Sequence, residues 1–187
     1  MKINKLAVTL IALLICAASA LPVLAAGEEG AVRAAMERAF GQLRAGDYAA
    51  LYESLPNASR QRITRERFAN GLQRARDSYG MEIDRLEMGA VHVGGDVATV
   101  DTVMYGHIAQ PIAGAGKVVA RQYLVRENGQ WRIATTGSNS GVVPLLARNP
   151  KFARQYPPRE PRIYLERNGR WIDVGSLNAM RRRAATR

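Results

Sequence analysis

Polar and apolar residues alternate along Val97 to His107. Val97, Thr99, Asp101, Val103, Tyr105 and His107 fall on one side, and Ala98, Val100, Thr102 and Met104 on the other. A strand sends successive side chains to opposite faces, so this period predicts a strand with both faces partly covered. Gly94-Gly95 beside Asp96 predicts a turn back to a strand through Val91-His92-Val93. Gln110 to Gly116 holds Pro111 and two glycines and reads as a loop, with a third strand over Lys117 to Arg126. Asn128-Gly129 then predicts a two-residue hairpin turn, because both residues tolerate positive φ. That turn places Leu124 opposite Ile133 and Arg126 opposite Trp131.

Upstream, the apolar spacing becomes helical. Ala31 to Arg44 repeats Val32, Met36, Ala39, Phe40 and Leu43, and Gly46 predicts its stop. Asp47 is placed to cap a second helix carrying Tyr48, Leu51, Tyr52 and Leu55, ended near Pro56. Asn57 to Arg62 reads as a polar connection. Thr64 is placed to cap a third helix with Phe68, Leu72, Ala75 and Tyr79 on one face, ended by Gly80. Helices first and strands afterwards predict an α+β domain: two to three helices on a strongly curved antiparallel β-sheet.

Beyond Thr136, Gly137 to Gly141 reads as a flexible connector and Tyr156 to Pro161 as a stiff extended run. A second hairpin turns at Asn168-Gly169 and is predicted to set Ile163 opposite Val174 and Leu165 opposite Ile172. A lone hairpin is marginal in water, so this apolar face is expected to dock on the body or on another subunit.

The 187 residues suffice for one domain with an extension. Lys2, Lys5, the apolar run Leu6 to Leu21, Pro22 and the alanines at Ala25 and Ala26 predict a cleaved secretory leader. The organisation expected is a leader over 1–26, a domain over 27–136, a linker over 137–161, and a hairpin with a basic tail over 162–187. The expected location is periplasmic or secreted. Cys16, the one cysteine, lies in the leader, so the mature chain has no thiol chemistry. Residues 26–147 carry 14 basic and 13 acidic side chains, whereas residues 148–187 carry 11 and 3. The tail therefore holds the field. Arg181, Arg182 and Arg183 are its candidate contacts with anionic lipid, an envelope polyanion or an acidic partner. Nucleic acid suits the charge but not the compartment.

The helical opening, with Phe40, Leu43, Gly46-Asp47-Tyr48 and Leu51-Tyr52, resembles the nuclear transport factor 2-like superfamily. So do the third helix ending at Gly80 and the hairpin Arg126 to Ile133. The resemblance covers roughly Ala31 to Thr136. It implies a cone with a pocket between helices and sheet, used in that superfamily by isomerase-like and cyclase-like enzymes, by ligand binders, and by proteins that dimerise through the sheet. Fold alone does not choose among these.

Tyr48, Tyr52, Phe68, Tyr79, Val103 and Tyr105 are the expected pocket residues. Asp101, Tyr105 and His107 share a strand face and are the weak catalytic candidates: a carboxylate base and a phenol donor can move a proton beside a carbonyl. The plainer reading puts the tyrosines at a core edge and Asp101 near solvent. His92 and His107 lack metal-ligand spacing, and no cofactor or metal is expected. The leading reading is an exported, non-catalytic binding module for a small apolar ligand or envelope protein, using the pocket or the sheet face. A proton-transfer enzyme and a membrane- or polyanion-associated factor are the alternatives.

Overall fold

The computed structural model describes residues 21–109, 113–134 and 146–176. Most of the expected leader with Cys16, the connector over 137–141 and the tail with Arg181, Arg182 and Arg183 lie outside these residues. Four helices come first: α1 Leu21–Ala45, α2 Tyr48–Glu53, α3 Asn57–Arg60 and α4 Arg65–Tyr79. The strands follow as β1 Glu82–Gly94, β2 Val97–Ile108, β3 Gly114–Glu127 and β4 Gln130–Ala134. A short helix α5, Pro150–Gln155, precedes β5 Arg162–Arg167 and β6 Arg170–Ser176. Among the described residues no helix is long and apolar enough to cross a membrane.

The helix boundaries follow their local chemistry. Gly46 takes φ 75°, a conformation that costs glycine little, and lets the chain turn out of α1. Asp47 then accepts a hydrogen bond from the Ala50 amide at 3.0 Å. Thr64 accepts from the Arg67 amide, and Gly80 closes α4 in the left-handed region. The connection expected over Asn57 to Arg62 contains the single turn of α3.

All strand pairs are antiparallel, in the order β1-β2-β3-β5-β6, with β4 also on β3. The first hairpin has the predicted register, Leu124 to Ile133 and Arg126 to Trp131. Strand β3 starts earlier than expected, because Gly114 and Gly116 pair with Ile108 and Gly106 instead of forming a loop. Glycine suits this corner: a Cβ on Gly106 would stand 2.3 Å from the Glu82 carbonyl oxygen.

One face of the sheet holds the main core. Val32, Ala35 and Met36 of α1 pack there on Val91, Ala98, Val100, Leu124 and Trp131. A bulge in β1 between Met88 and Val91 makes this possible. One extra residue restores the parity, so Leu86, Met88 and Val91 all face α1 while His92 turns away. Arg33 of α1 donates to the Gly89 carbonyl inside the bulge at 2.8 Å. Glu28, near the start of α1, accepts from the Trp131 indole at 3.2 Å and pairs with Arg126.

The other face has a second core of Val97, Tyr123, Ala134 and Leu146, with Phe152 against it. Residues 146–156, expected within a linker, therefore form a strap over the sheet. Its apolar Leu146, Phe152 and Tyr156 gain from leaving water. The buried Tyr123 hydroxyl donates to the Tyr156 carbonyl at 2.6 Å, and the Tyr156 ring stacks on His92 at 4.2 Å.

The second hairpin attaches differently from the expectation. It docks on the body through backbone pairing of β5 with β3, over Gly116 to Val119, with only part of its apolar face buried there. Ile163 is buried while Ile172 is 49% exposed. Ile163 pairs with Gly175, not Val174, because of a shift beside Tyr164. Edge pairing satisfies a row of backbone groups that face packing would leave open.

The strap depends on a missing side chain. A Cβ on Gly94 would stand 2.4 Å from the Phe152 ring. Gly94→Ala should lower stability by about 1–3 kcal/mol, and much less when Phe152 is already alanine. Urea unfolding of the two single variants and the double variant checks this coupling; equal costs in both backgrounds would contradict the packing.

Candidate functional site

The expected pocket residues do not come together. Tyr48 is buried in the helical layer, and Tyr52 packs on Phe68 with ring centroids 5.8 Å apart. The Tyr52 hydroxyl donates to the Arg60 and Ile63 carbonyls, so it holds α2 to the following turn. Helix α4 buries none of its residues, and Tyr79 at its end is 52% exposed. Val103 and Tyr105 lie on the sheet face opposite α1, because they share parity with Val97 and not with Val100. They belong to a different surface from the four helical residues. On the helix side a cavity of about 50 Å³ opens between Ile83, Met104, Val118 and Ile163. It is far smaller than the roughly 300–1,000 Å³ typical of ligand sites.

The three candidate acid–base groups share the outer face, yet each has its own partner. Asp101 receives Nε and Nη2 of Arg121 at 2.8 and 3.1 Å, a bidentate pair across β2 and β3. The hydrogen bond from Arg121 holds its carboxyl below the usual carboxylate range, against a smaller upward pull from burial. Tyr105 donates to Glu87 at 3.1 Å, under the guanidinium of Arg85 at 3.8 Å from the ring centroid. Desolvation first, then that hydrogen bond, push its phenol upward. His107 Nδ1 stands 2.8 Å from Asp84. A general base for carbon acids needs a carboxylate moved up toward neutrality, and Asp101 moves the other way. Among the described residues no three His, Cys, Asp or Glu side chains cluster as metal ligands.

Another recess, of about 440 Å³, lies between α1 and β4. A larger one lies on this outer face, the face on which the sequence reading set Asp101, Tyr105 and His107. It is a groove of about 710 Å³ lined by Asp101, Val119, Arg121, Arg159, Glu160 and Arg162, among others. Arg121 is 7% exposed, and its guanidinium lies 5.8 Å from the Tyr156 ring centroid. Arg162 pairs with Asp173 of β6. Beyond the groove, Lys117 lies 4.5 Å from the Trp171 ring and 5.4 Å from that of Tyr164. The strap and the second hairpin thus add cations and rings to one sheet face. The sequence signal was their arginine excess, but not where it would fold.

The Asp101 pair also sets an acid response. Its carboxyl titrates lower in the fold than in the unfolded chain, so its stabilisation is present above the unfolded value of about 3.9 and fades as pH falls through the folded value. Asp101→Asn should flatten the loss of stability below about pH 4. At neutral pH it should cost about 1–2 kcal/mol, a range discounted for the half-exposed carboxylate. Urea midpoints across acid and neutral pH measure both; an unchanged acid slope would contradict the pairing.

The sequence matches no described protein family and no curated protein. Among solved structures the chain is similar to an NTF2-like protein with a cystatin-like fold from Novosphingobium aromaticivorans. They are 20% identical, with a TM-score of 0.42 over 62% of this chain and 82% of that one. It is also similar to Aln2 from a Streptomyces species, at 14% identity and a TM-score of 0.38 over 55% and 82%. The order described above, helices first and then an antiparallel sheet, is the order that the nuclear transport factor 2-like resemblance implies.

Proposed function

We propose that this chain is an exported, non-catalytic binding module of the cell envelope that holds a small molecule on the outer sheet face. The observation that carries the reading is the groove of about 710 Å³ between the proline-rich run and the sheet, which gathers Asp101, Arg121, Arg159 and Arg162. That volume is of ligand size, as is that of a recess of about 440 Å³ between α1 and β4, whereas the cavity of about 50 Å³ beside Met104 and Val118 is not. The partners of Asp101, Tyr105 and His107 favour binding over proton transfer. Each is held by an opposite charge or an acceptor that a substrate would first have to displace. Export rests on the leader pattern over Met1 to Ala26, with cleavage at Ala25 or Ala26 leaving Glu28 in place for Arg126 and Trp131.

One measurement tests both halves. Native mass spectrometry of the protein purified from the periplasm or medium of its own cell is expected to give a chain lacking the leader and carrying a retained small molecule. A full-length chain in the cytosolic fraction would overturn export. An exported but empty protein would overturn small-molecule binding and leave a role in contacts between envelope proteins.

A further inference from the structure

Strand β3 gives its outer edge to β4 along Tyr123 to Glu127 and to β5 along Gly116 to Val119. Ala120, Arg121 and Gln122 fall between, with no strand pairing on that edge among the described residues. The groove opens at this notch, with Arg159 and Glu160 of the proline-rich run beside it. We infer that the notch binds a small organic molecule through an oxyanion, a carboxylate or a phosphate. The inference rests on the reading of this groove as the binding surface and adds the class of ligand.

Three guanidinium groups and two carboxylates line the groove, and a third carboxylate, Asp173 of β6, holds Arg162 from beside it. Guanidinium presents paired N–H donors that match the spacing of oxygens on carboxylate and phosphate. The Asp101–Arg121 pair is internally balanced and fixed in a plane, with Arg121 buried by the sheet. Asp101 spends its charge on Arg121, and the charge of Arg159 reaches it as well. The ligand's oxyanion therefore goes to Arg159, with the donors of Arg162 that Asp173 leaves over beside it. Both arginines lie on a run stiffened by Pro157, Pro158 and Pro161, so the spacing of their backbones is set before a ligand arrives. The lone pairs of Asp101 that Arg121 leaves over can accept from hydroxyl or ammonium groups on the ligand body. Val119, 37% exposed and paired with Arg162, offers the groove an apolar floor.

Titration calorimetry of the exported chain uses glucose 1-phosphate, glucuronate and uncharged glucose as probes. The expected result is saturable binding of one charged sugar or both, weakened by added salt, and none of glucose. The arm that binds says whether phosphate or carboxylate is preferred. Arg159→Gln should weaken binding about tenfold or more, the loss of one charge-assisted contact, with an unchanged melting temperature. Binding indifferent to Arg159→Gln, or no binding of either acid at millimolar concentration, would overturn the inference. Val119→Trp, which fills the groove, separates this from the broader reading. A natural ligand lost on Val119→Trp but kept by Arg159→Gln would refute the oxyanion and leave the groove as the binding surface. A natural ligand kept by both would refute the groove itself.

Discussion

The outer edge of β3 is the constraint on which the rest of the fold depends. A long strand with a bare edge leaves backbone donors and acceptors that water or another chain must satisfy. The tight turn at Asn128-Gly129 returns only five residues as β4, so the larger part of the edge stays open. The second hairpin returns from far along the chain to pair Gly116 to Val119, and Ala120 to Gln122 stay between the two. Between its departure and its return the chain crosses the outer face, and that crossing makes the strap, the second core and the groove. Had β4 been longer, none of these would have a place.

The sheet is consequently loaded on both faces, which separates this domain from a simple helix-on-sheet layer. Helix α1 takes the inner face with small and medium side chains, and the bulge at Gly89 keeps β1 in step with it. The strap takes the outer face through Leu146, Phe152 and Tyr156. Tyr123 links the layers, with its ring in the second core and its hydroxyl on the strap backbone. A buried hydroxyl left without that carbonyl would cost more than it contributes, so the strap satisfies polarity as well as burying surface.

Local chemistry was legible before the fold was known. Asp47, Thr64, Gly46 and Gly80 mark helix ends by acting on neighbours within one turn, and Asn128-Gly129 fixes its own register. What spans distance was not legible. Alternation showed that Asp101, Val103 and Tyr105 share a face but not which face meets the helices; the extra residue in β1 and the packing of α1 decide that. The Asp101–Arg121 pair needed the register of β2 on β3, and the glycines of 114–116 hid where β3 begins. The groove needed the pairing of β5 on β3, which brings Arg159, Glu160 and Arg162 over the sheet from far along the chain.

The two hairpins are close in chemistry: Tyr-Leu, an Asn-Gly turn and a tryptophan in each. Both seek the same strand edge, and side-chain preference does little to tell them apart. Connectivity sorts them. β4 is tethered to β3 by two residues and meets Tyr123 to Glu127 at a local concentration that β5 cannot match from its distant position. The later hairpin takes what is left. The same tethering logic makes the open part of β3 vulnerable during synthesis, when β1 to β4 have emerged and β5 has not. A second nascent chain offering its own Tyr-Leu strand would find a matching edge, so exchange between copies stays open until β5 arrives to close it.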